Sequence, residues 1–341
     1  MNASTGSNSL SKGGRELSSL PRFLLIVAAF VILGVDASHA QANYPNRAIQ
    51  LVVTVPPGGA ADNIARVIGA KLADALGQSV IINNRGGAGG TTAAAQVAKS
   101  DPDGYTLLLN TIATHGIGPH IYANLSYDPV KDFEPVILIA KLPLIMAINA
   151  DVPARSVQDV IALAKEKPGE LTFSSSGSGG APHLAGEMFK NFTRTQIQHV
   201  PYRGSGPAVI DLIAGRITMM FDATPSLLPY IIAGQLRPLA AASPQRHRLL
   251  PDIPSFAELG YPGMDIALWY GAVVPGGTPA PIVQRLNAEL AKIIEMPDVR
   301  KNLSDQGADL QGGTAQDFGT FMRSESARWS VVVKQAGIKP D

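Results

Sequence analysis

Along this chain, short runs of aliphatic and β-branched residues alternate with longer stretches whose apolar positions recur every three or four residues. The runs at 48–54, 79–83 and 105–109 predict strands, and the stretches at 61–76 and 91–99 predict helices between them. In the first of these helices Ile64, Val67, Ile68, Leu72 and Leu76 fall on one face, the stripe a helix buries against a sheet. A second series repeats the alternation, with strands near 171–174, 197–200, 217–221 and 236–241 and helices near 156–166, 181–192, 206–214 and 225–233. The last part is mostly helical: a segment from Pro279, then 297–306, then 315–336. Pro281 falls in a first helical turn, where its missing N–H costs nothing. Two successive strand–helix series predict an α/β protein of two lobes. No long flexible linker separates them, so short strand crossovers are expected to join the lobes in place of a tether.

At 341 residues the chain is long enough for two cores, and with 45% hydrophobic and 16% charged residues it has the composition of a folded soluble protein. Its formal net charge of +1 leaves no electrostatic footprint for nucleic acid. The absence of cysteine excludes disulfides, thiolate metal sites and cysteine nucleophiles. The start reads as an export signal. Lys12, Arg15 and Arg22 precede "FLLIVAAFVILGV" at 23–35, an apolar run of signal-peptide length and too short to span a bilayer. "DASHAQA" then offers small-residue cleavage sites after Ala40 or Ala42, so 1–42 is expected to be a signal peptide and the mature protein periplasmic. A retained anchor is the alternative. Without the leader, acidic and basic residues balance.

Candidate chemistry concentrates at two glycine-rich strand-to-helix turns. In "LVVTVPPGGAADNIAR" a strand enters a helix through Pro56, Pro57, Gly58 and Gly59. Such a junction leaves the first helical N–H groups uncovered by side chains, at the positive end of the helix dipole, and so favours an anion. A tight turn capped by Asp62, with no ligand, satisfies the same residues. "LTFSSSGSGGAPHLAGEMF" repeats the arrangement in the second series, adding the hydroxyls of Ser174, Ser175, Ser176 and Ser178, and there too a plain polar loop is the alternative. Together the two turns suggest that each lobe holds one end of a small anionic molecule. Enzymatic signatures are missing: Gly-x-Ser-x-Gly, the P-loop, a complete Gly-x-Gly-x-x-Gly and His-Glu-x-x-His are all absent. The six histidines show no metal-ligand spacing with acids, and His183 and His199 are assigned to local hydrogen bonds. No cofactor or metal is expected. Ser178 with His183 is the pair an exported hydrolase would use, but no orienting acid accompanies it.

Longer blocks carry a resemblance. "YPNRAIQLVVTVPPGGAADNIAR", "GGAGGTTAAAQVAKSDPDGYTLL", "YDPVKDFEPV", "HVPYRGSGPAVIDLIAGRI", "LPDIPSFAELGYPG" and "LWYGAVVPGGTPAPIVQRLNAEL" follow one another in order, and "AGIKP" closes the chain. Over essentially the whole mature chain it resembles the Bug family, the extracytoplasmic solute receptors of tripartite tricarboxylate transporters. The resemblance implies a periplasmic-binding-protein type II-like architecture: two α/β lobes with a central cleft joined by hinge strands. Lobe 1 would be discontinuous, 43–143 plus 267–341, with lobe 2 at 144–266. It further implies a carboxylate held by Pro57, Gly58, Gly59, Ala60, Ala61 and Asp62, partly through ordered water, and a distal end gripped by Ser174, Ser175, Ser176, Gly177, Ser178 and Gly179. Thr111, Thr114 and His115 match a loop that borders the family's pocket, and Asp222, in "FDATPS", sits where members vary with ligand. Arg203 is the cation best placed to approach the cleft, a surface or hinge ion pair being its alternative role. Tyr202 and Trp269 either wall the pocket or pack the hinge, and the position of Trp269 favours the hinge. Two departures from the family pattern, Asn83 in place of an acid and "GGTTAAA" in place of Thr-Ile-Gly, lie away from the carboxylate turns.

The function implied is capture of a small organic acid, a di- or tricarboxylate, for delivery to integral membrane transporter subunits by a monomeric, non-enzymatic receptor. Docking of the liganded receptor on a membrane sensor kinase is the alternative output. A C4-dicarboxylate, citrate, an aromatic dicarboxylate and an amino acid all fit the small-residue loop.

Overall fold

The computed structural model describes residues 1–3, 6 and 44–336. The expected signal peptide and the tail at 337–341 lie outside the described residues, apart from the few named. The chain divides into two units, Met1–Tyr44 and Pro45–Asp341, and all the described strands and helices belong to the second.

That unit is built around two sheets that share one strand. The first contains β1 (Ile49–Val53), β2 (Val80–Asn84), β3 (Thr106–Thr111), β9 (Ala267–Pro275), the first part of β4 (Phe133–Asn149) and β10 (Asp309–Gly312), in the order β2-β1-β3-β9-β4-β10. Strands β1, β2 and β3 run parallel, while β9, β4 and β10 add antiparallel pairs. The second sheet is β8 (Leu236–Ala242), the last part of β4, β7 (Met219–Ala223), β5 (Thr172–Ser175) and β6 (Gln198–Pro201), in that order.

Helices connect the parallel strands, as parallel pairing requires. They are α1 (Ala60–Leu76), α2 (Thr91–Ala98), a π-helical turn (Ile112–Ile117) running into the short α3 (Gly118–Ile121), α4 (Val157–Glu166), α5 (Ala181–Thr193), α6 (Ser205–Ile213) and α7 (Thr224–Ile232). The C-terminal helices are α8 (Ala280–Glu295), α9 (Pro297–Ser304) and α10 (Ala315–Ala336). In α1 the expected stripe is buried at Ile64, Ile68, Leu72 and Leu76, with Val67 half-buried. Each such side chain fully removed from water contributes on the order of 1.5–3 kcal/mol. The helix stops at Gly77, whose left-handed φ of 66° a glycine accepts without steric cost.

The chain crosses between the sheets within continuous strand, with no linker segment. Strand β4 has 17 residues, pairs with β9 through Pro143 and with β7 and β8 from Leu144, and so belongs to both sheets. The chain returns beside that point. Ile266 donates its N–H to Ala242 O at 2.9 Å and accepts from Leu144 N at 3.2 Å, and Ala267 pairs with Pro143. Both β4 and β9 escaped the periodicity reading because they are buried almost throughout. "VILIAKLPLIMAIN" is a continuous apolar run without the alternation of a half-exposed strand.

Candidate functional site

The first glycine turn leaves β1 through buried Thr54, and Pro56, Pro57, Gly58 and Gly59 are exposed. Gly58 has φ +98°, a conformation that side-chain-bearing residues rarely adopt, and a Cβ at either glycine would meet nothing within 4 Å. Asp62 organises the turn from below. Its Oδ2 accepts the Gly58 N–H at 2.9 Å and Arg66 Nε at 3.0 Å, and its Oδ1 accepts Asn84 Nδ2 at 3.0 Å. Burial pushes this carboxyl up, but the bonds from Arg66, Gly58 and Asn84 outweigh burial and hold it below its ordinary value. Both Asp62 oxygens are therefore committed to protein donors. The first intrahelical bond is Asn63 N to Gly59 O at 3.1 Å, and no side chain caps Gly59. The amides of Ala60, Ala61 and Asp62 precede that bond and so have no intrahelical partner. Arg66 is foreshadowed by its spacing four residues after Asp62; Asn84, from the end of β2, has no sequence signal because only the β1–β2 pairing brings it close.

Thr111, Thr114 and His115 gather at the end of β3. Thr114 Oγ1 accepts the Thr111 N–H and donates to Thr111 O, both at 3.1 Å, and lies 2.9 Å from His115 Nδ1. His115 is 2% exposed, with its ring edge against Phe133 at a centroid distance of 4.8 Å. Burial pulls its imidazole down to about 3, so it is neutral at ordinary pH, and its Nε2 has no protein partner.

In the second sheet, Ser174 and Ser175 end β5 and are fully buried, whereas Ser176, Gly177, Ser178 and Gly179 form the half-buried loop that follows. Ser175 Oγ donates to Gly177 O at 3.0 Å and lies 2.6 Å from His199 Nε2. The Tyr202 and Gly204 amides donate to Ser175 O and Ser176 O at 3.0 and 3.1 Å, so the loop is stitched to the segment carrying exposed Arg203. His183 Nδ1 accepts the Gly179 N–H at 3.0 Å. Asp222, next to last in β7, is 2% exposed; its Oδ1 accepts the Ala223 N–H at 2.7 Å and its Oδ2 has no protein partner. Burial raises this carboxyl to about 6, against the opposing pull of Ser205 and the Ala223 amide. Tyr202 bonds Asp211 through its hydroxyl at 2.7 Å, and Trp269 donates its indole N–H to Glu325 at 3.0 Å, so neither ring's polar atom is left to face a ligand.

Both turns, the π-helical turn and Asp222 thus lie at the carboxyl ends of β1, β3, β5 and β7, the edge at which open α/β sheets bind ligands. The two sheets' loops also approach each other: a Cβ at Gly179 would come within 2.9 Å of Ile121 Cδ1 on α3, and α10 packs on α5. Among the described residues, no group of histidine and acidic side chains is arranged to hold a metal ion.

A family model described as "Tripartite tricarboxylate transporter family receptor" matches residues 64–338. The chain belongs to this receptor family. The receptor is 35% identical over 323 residues to Protein BugT of Bordetella pertussis, a match covering 94% of this chain and 99% of that one. Among solved structures it is similar to R. palustris Rpa4515 with adipate, at TM-score 0.82 and 39% identity, covering 87% of this chain and 100% of that one. It is also similar to MatC (Rpa3494) from Rhodopseudomonas palustris with bound malate, at TM-score 0.78 and 32% identity, covering 85% and 100%. The receptor accordingly has the two-lobed α/β fold of periplasmic binding proteins, and the Bug-family resemblance holds. Among the described residues no helix is long and apolar enough to cross a membrane.

Proposed function

We propose that the receptor captures a small di- or tricarboxylate in a cleft between lobe 1 (43–143 plus 267–341) and lobe 2 (144–266), and hands it to integral membrane subunits of a tripartite transporter. The observation that carries this reading is the N-terminus of α1, entered through exposed Gly58 and Gly59 and without a side-chain cap, while Asp62 is already occupied by Gly58, Arg66 and Asn84. A ligand carboxylate at the Ala60–Asp62 amides gains charge-assisted bonds worth on the order of 1.5–3 kcal/mol each, aided by the helix dipole. Asp62 then serves as the residue that positions the turn. Thr111 and Thr114 shape the neighbouring turn, with His115 packed beneath it. The half-buried Ser176–Gly179 loop, with Arg203 at its rim, takes the distal end of the ligand.

Adipate and malate, bound by relatives 39% and 32% identical, set the ligand class to be tried first. Crossing points at Pro143–Leu144 and Ile266–Ala267, bonded side by side, suit a hinge. The receptor acts as an exported monomer without a cofactor. Calorimetry and thermal unfolding of the mature chain with malate, adipate, succinate and citrate test the proposal. Binding at micromolar concentration with a rise in Tm is expected. If all four acids leave both heat and Tm unchanged, carboxylate capture is wrong.

A further inference from the structure

The loop of Ser176, Gly177 and Ser178 rests on two stacked imidazoles. His183, in the first turn of α5, and His199, on β6, have ring centroids 3.7 Å apart and planes within 9° of parallel. Phe173 of β5 stacks on His199 at 4.8 Å and lies 6.2 Å from His183. Each imidazole holds one end of the loop. His199 Nε2 meets Ser175 Oγ at 2.6 Å, and His183 Nδ1 accepts the Gly179 N–H at 3.0 Å. Because Ser175 Oγ gives its proton to Gly177 O, His199 Nε2 carries the proton in their contact. His183 Nδ1, as an acceptor, must be bare, which puts the neutral ring's proton on Nε2, 3.8 Å from Glu187 Oε1. Lys190 in turn holds both Glu187 oxygens at 2.7 and 2.9 Å. Charged or titratable groups at the stack include Glu187 and Lys190 on α5 and the facing ring on β6, while β5 presents Phe173 and Ser175.

We propose that the His183–His199 stack is a proton-sensitive latch on the ligand loop: the neutral pair fixes the loop for binding, and a proton taken up at His183 Nδ1 releases Gly179 and weakens ligand affinity. The latch rests on the ligand role assigned above to this loop. A protonated Nδ1 turns the acceptor into a second donor pointed at the Gly179 N–H, so the bond is lost. Glu187 gives the protonated ring a counter-charge, which makes the switch accessible, while a second proton would set two positive rings 3.7 Å apart. The release is felt where the lobes meet, because Gly179 is the residue that Ile121 approaches from the first sheet's side.

Calorimetric titration of the mature chain with malate and adipate at about pH 7.5 and about pH 5.5, on either side of the ordinary imidazole value, tests the latch. Two variants accompany it: His183→Asn, which keeps an acceptor near Nδ1 without titrating, and His199→Gln, whose amide keeps a donor near Nε2 without titrating. Wild type is expected to lose about ten-fold in affinity over this interval beyond whatever His183→Asn loses, as uptake of one linked proton requires. Loss of the ligand's own charge is common to both proteins and cancels in the comparison. Equal losses in wild type and His183→Asn, or tighter wild-type binding in acid, overturn the latch. Failure of both acids to bind at either pH would instead overturn the carboxylate reading, and an NMR titration of the free wild-type chain then decides the latch by itself. The Gly179 amide resonance should move together with the His183 ring; an amide that stays fixed while the ring titrates overturns it.

Discussion

Gly58 and Gly59 sit side by side in one turn for different physical reasons. Gly58 needs its left-handed φ of +98°, whereas Gly59, at φ −92° and ψ 179°, occupies backbone space open to any residue. A methyl at Gly59 meets nothing within 4 Å, so Gly59→Ala should remain within about 1 kcal/mol of wild-type stability while obstructing the mouth of the turn. Gly58→Val should lose affinity and in addition about 1–2 kcal/mol of stability to backbone strain. Thermal unfolding paired with malate calorimetry separates the two outcomes. The carboxyls of Asp62 and Asp222 respond to pH with opposite signs. Asp62 titrates below its unfolded value, so its contribution is complete above that value and fades as acid protonates it. Asp222 is raised from 3.8 to about 6, so the fold favours its neutral form and loses stability as pH rises through that interval. Relative to wild type, Asp222→Asn should therefore gain on the order of 3 kcal/mol between about pH 4 and pH 7.5, measured by urea unfolding at each pH.

Among the elements, β4 and α10 decide how the halves are joined. A 17-residue strand running through both sheets transmits a bend at Pro143–Leu144 to each of them. Beside that bend, Glu325 of α10 accepts both indole N–H groups of the chain's two tryptophans, Trp269 at 3.0 Å and Trp329 at 2.9 Å. Trp269 belongs to β9, only a few residues after the returning crossover. Its emission should therefore respond when malate closes the cleft, and an unchanged spectrum at saturating malate would argue against hinge motion. Removing the shared acceptor by Glu325→Ala strands two buried donors. At about 1–3 kcal/mol each, the loss should be plain in chemical denaturation. Helix α5 is set against β5 just as closely, since a Cβ at Gly186 would fall 2.1 Å from the Phe173 ring. Its approach is what brings His183 over His199.

At the scale of the molecule, the loops of the two sheets come near each other at Gly179 and Ile121, where a Cβ on Gly179 would fall 2.9 Å from the Ile121 side chain. Without ligand, solution scattering should give a larger radius of gyration than with saturating malate, because closure is stabilised only by contacts the ligand makes to both lobes. Identical scattering curves would count against a hinged capture mechanism.

The alternation of apolar runs and amphipathic stretches placed the parallel strands and their helices correctly, because a half-exposed helix must show its buried stripe in its spacing. The glycine turn at Gly58 and Gly59 was legible for a similar reason: glycine next to a helix start is a local backbone requirement. Strands β4 and β9, Asn84 beneath the first turn and the stacking of His183 on His199 were settled only by tertiary structure. Fully buried strands carry no alternation, and pairings between residues such as Asp62 and Asn84 or Ser175 and His199 arise from sheet register, which no local stretch of sequence encodes.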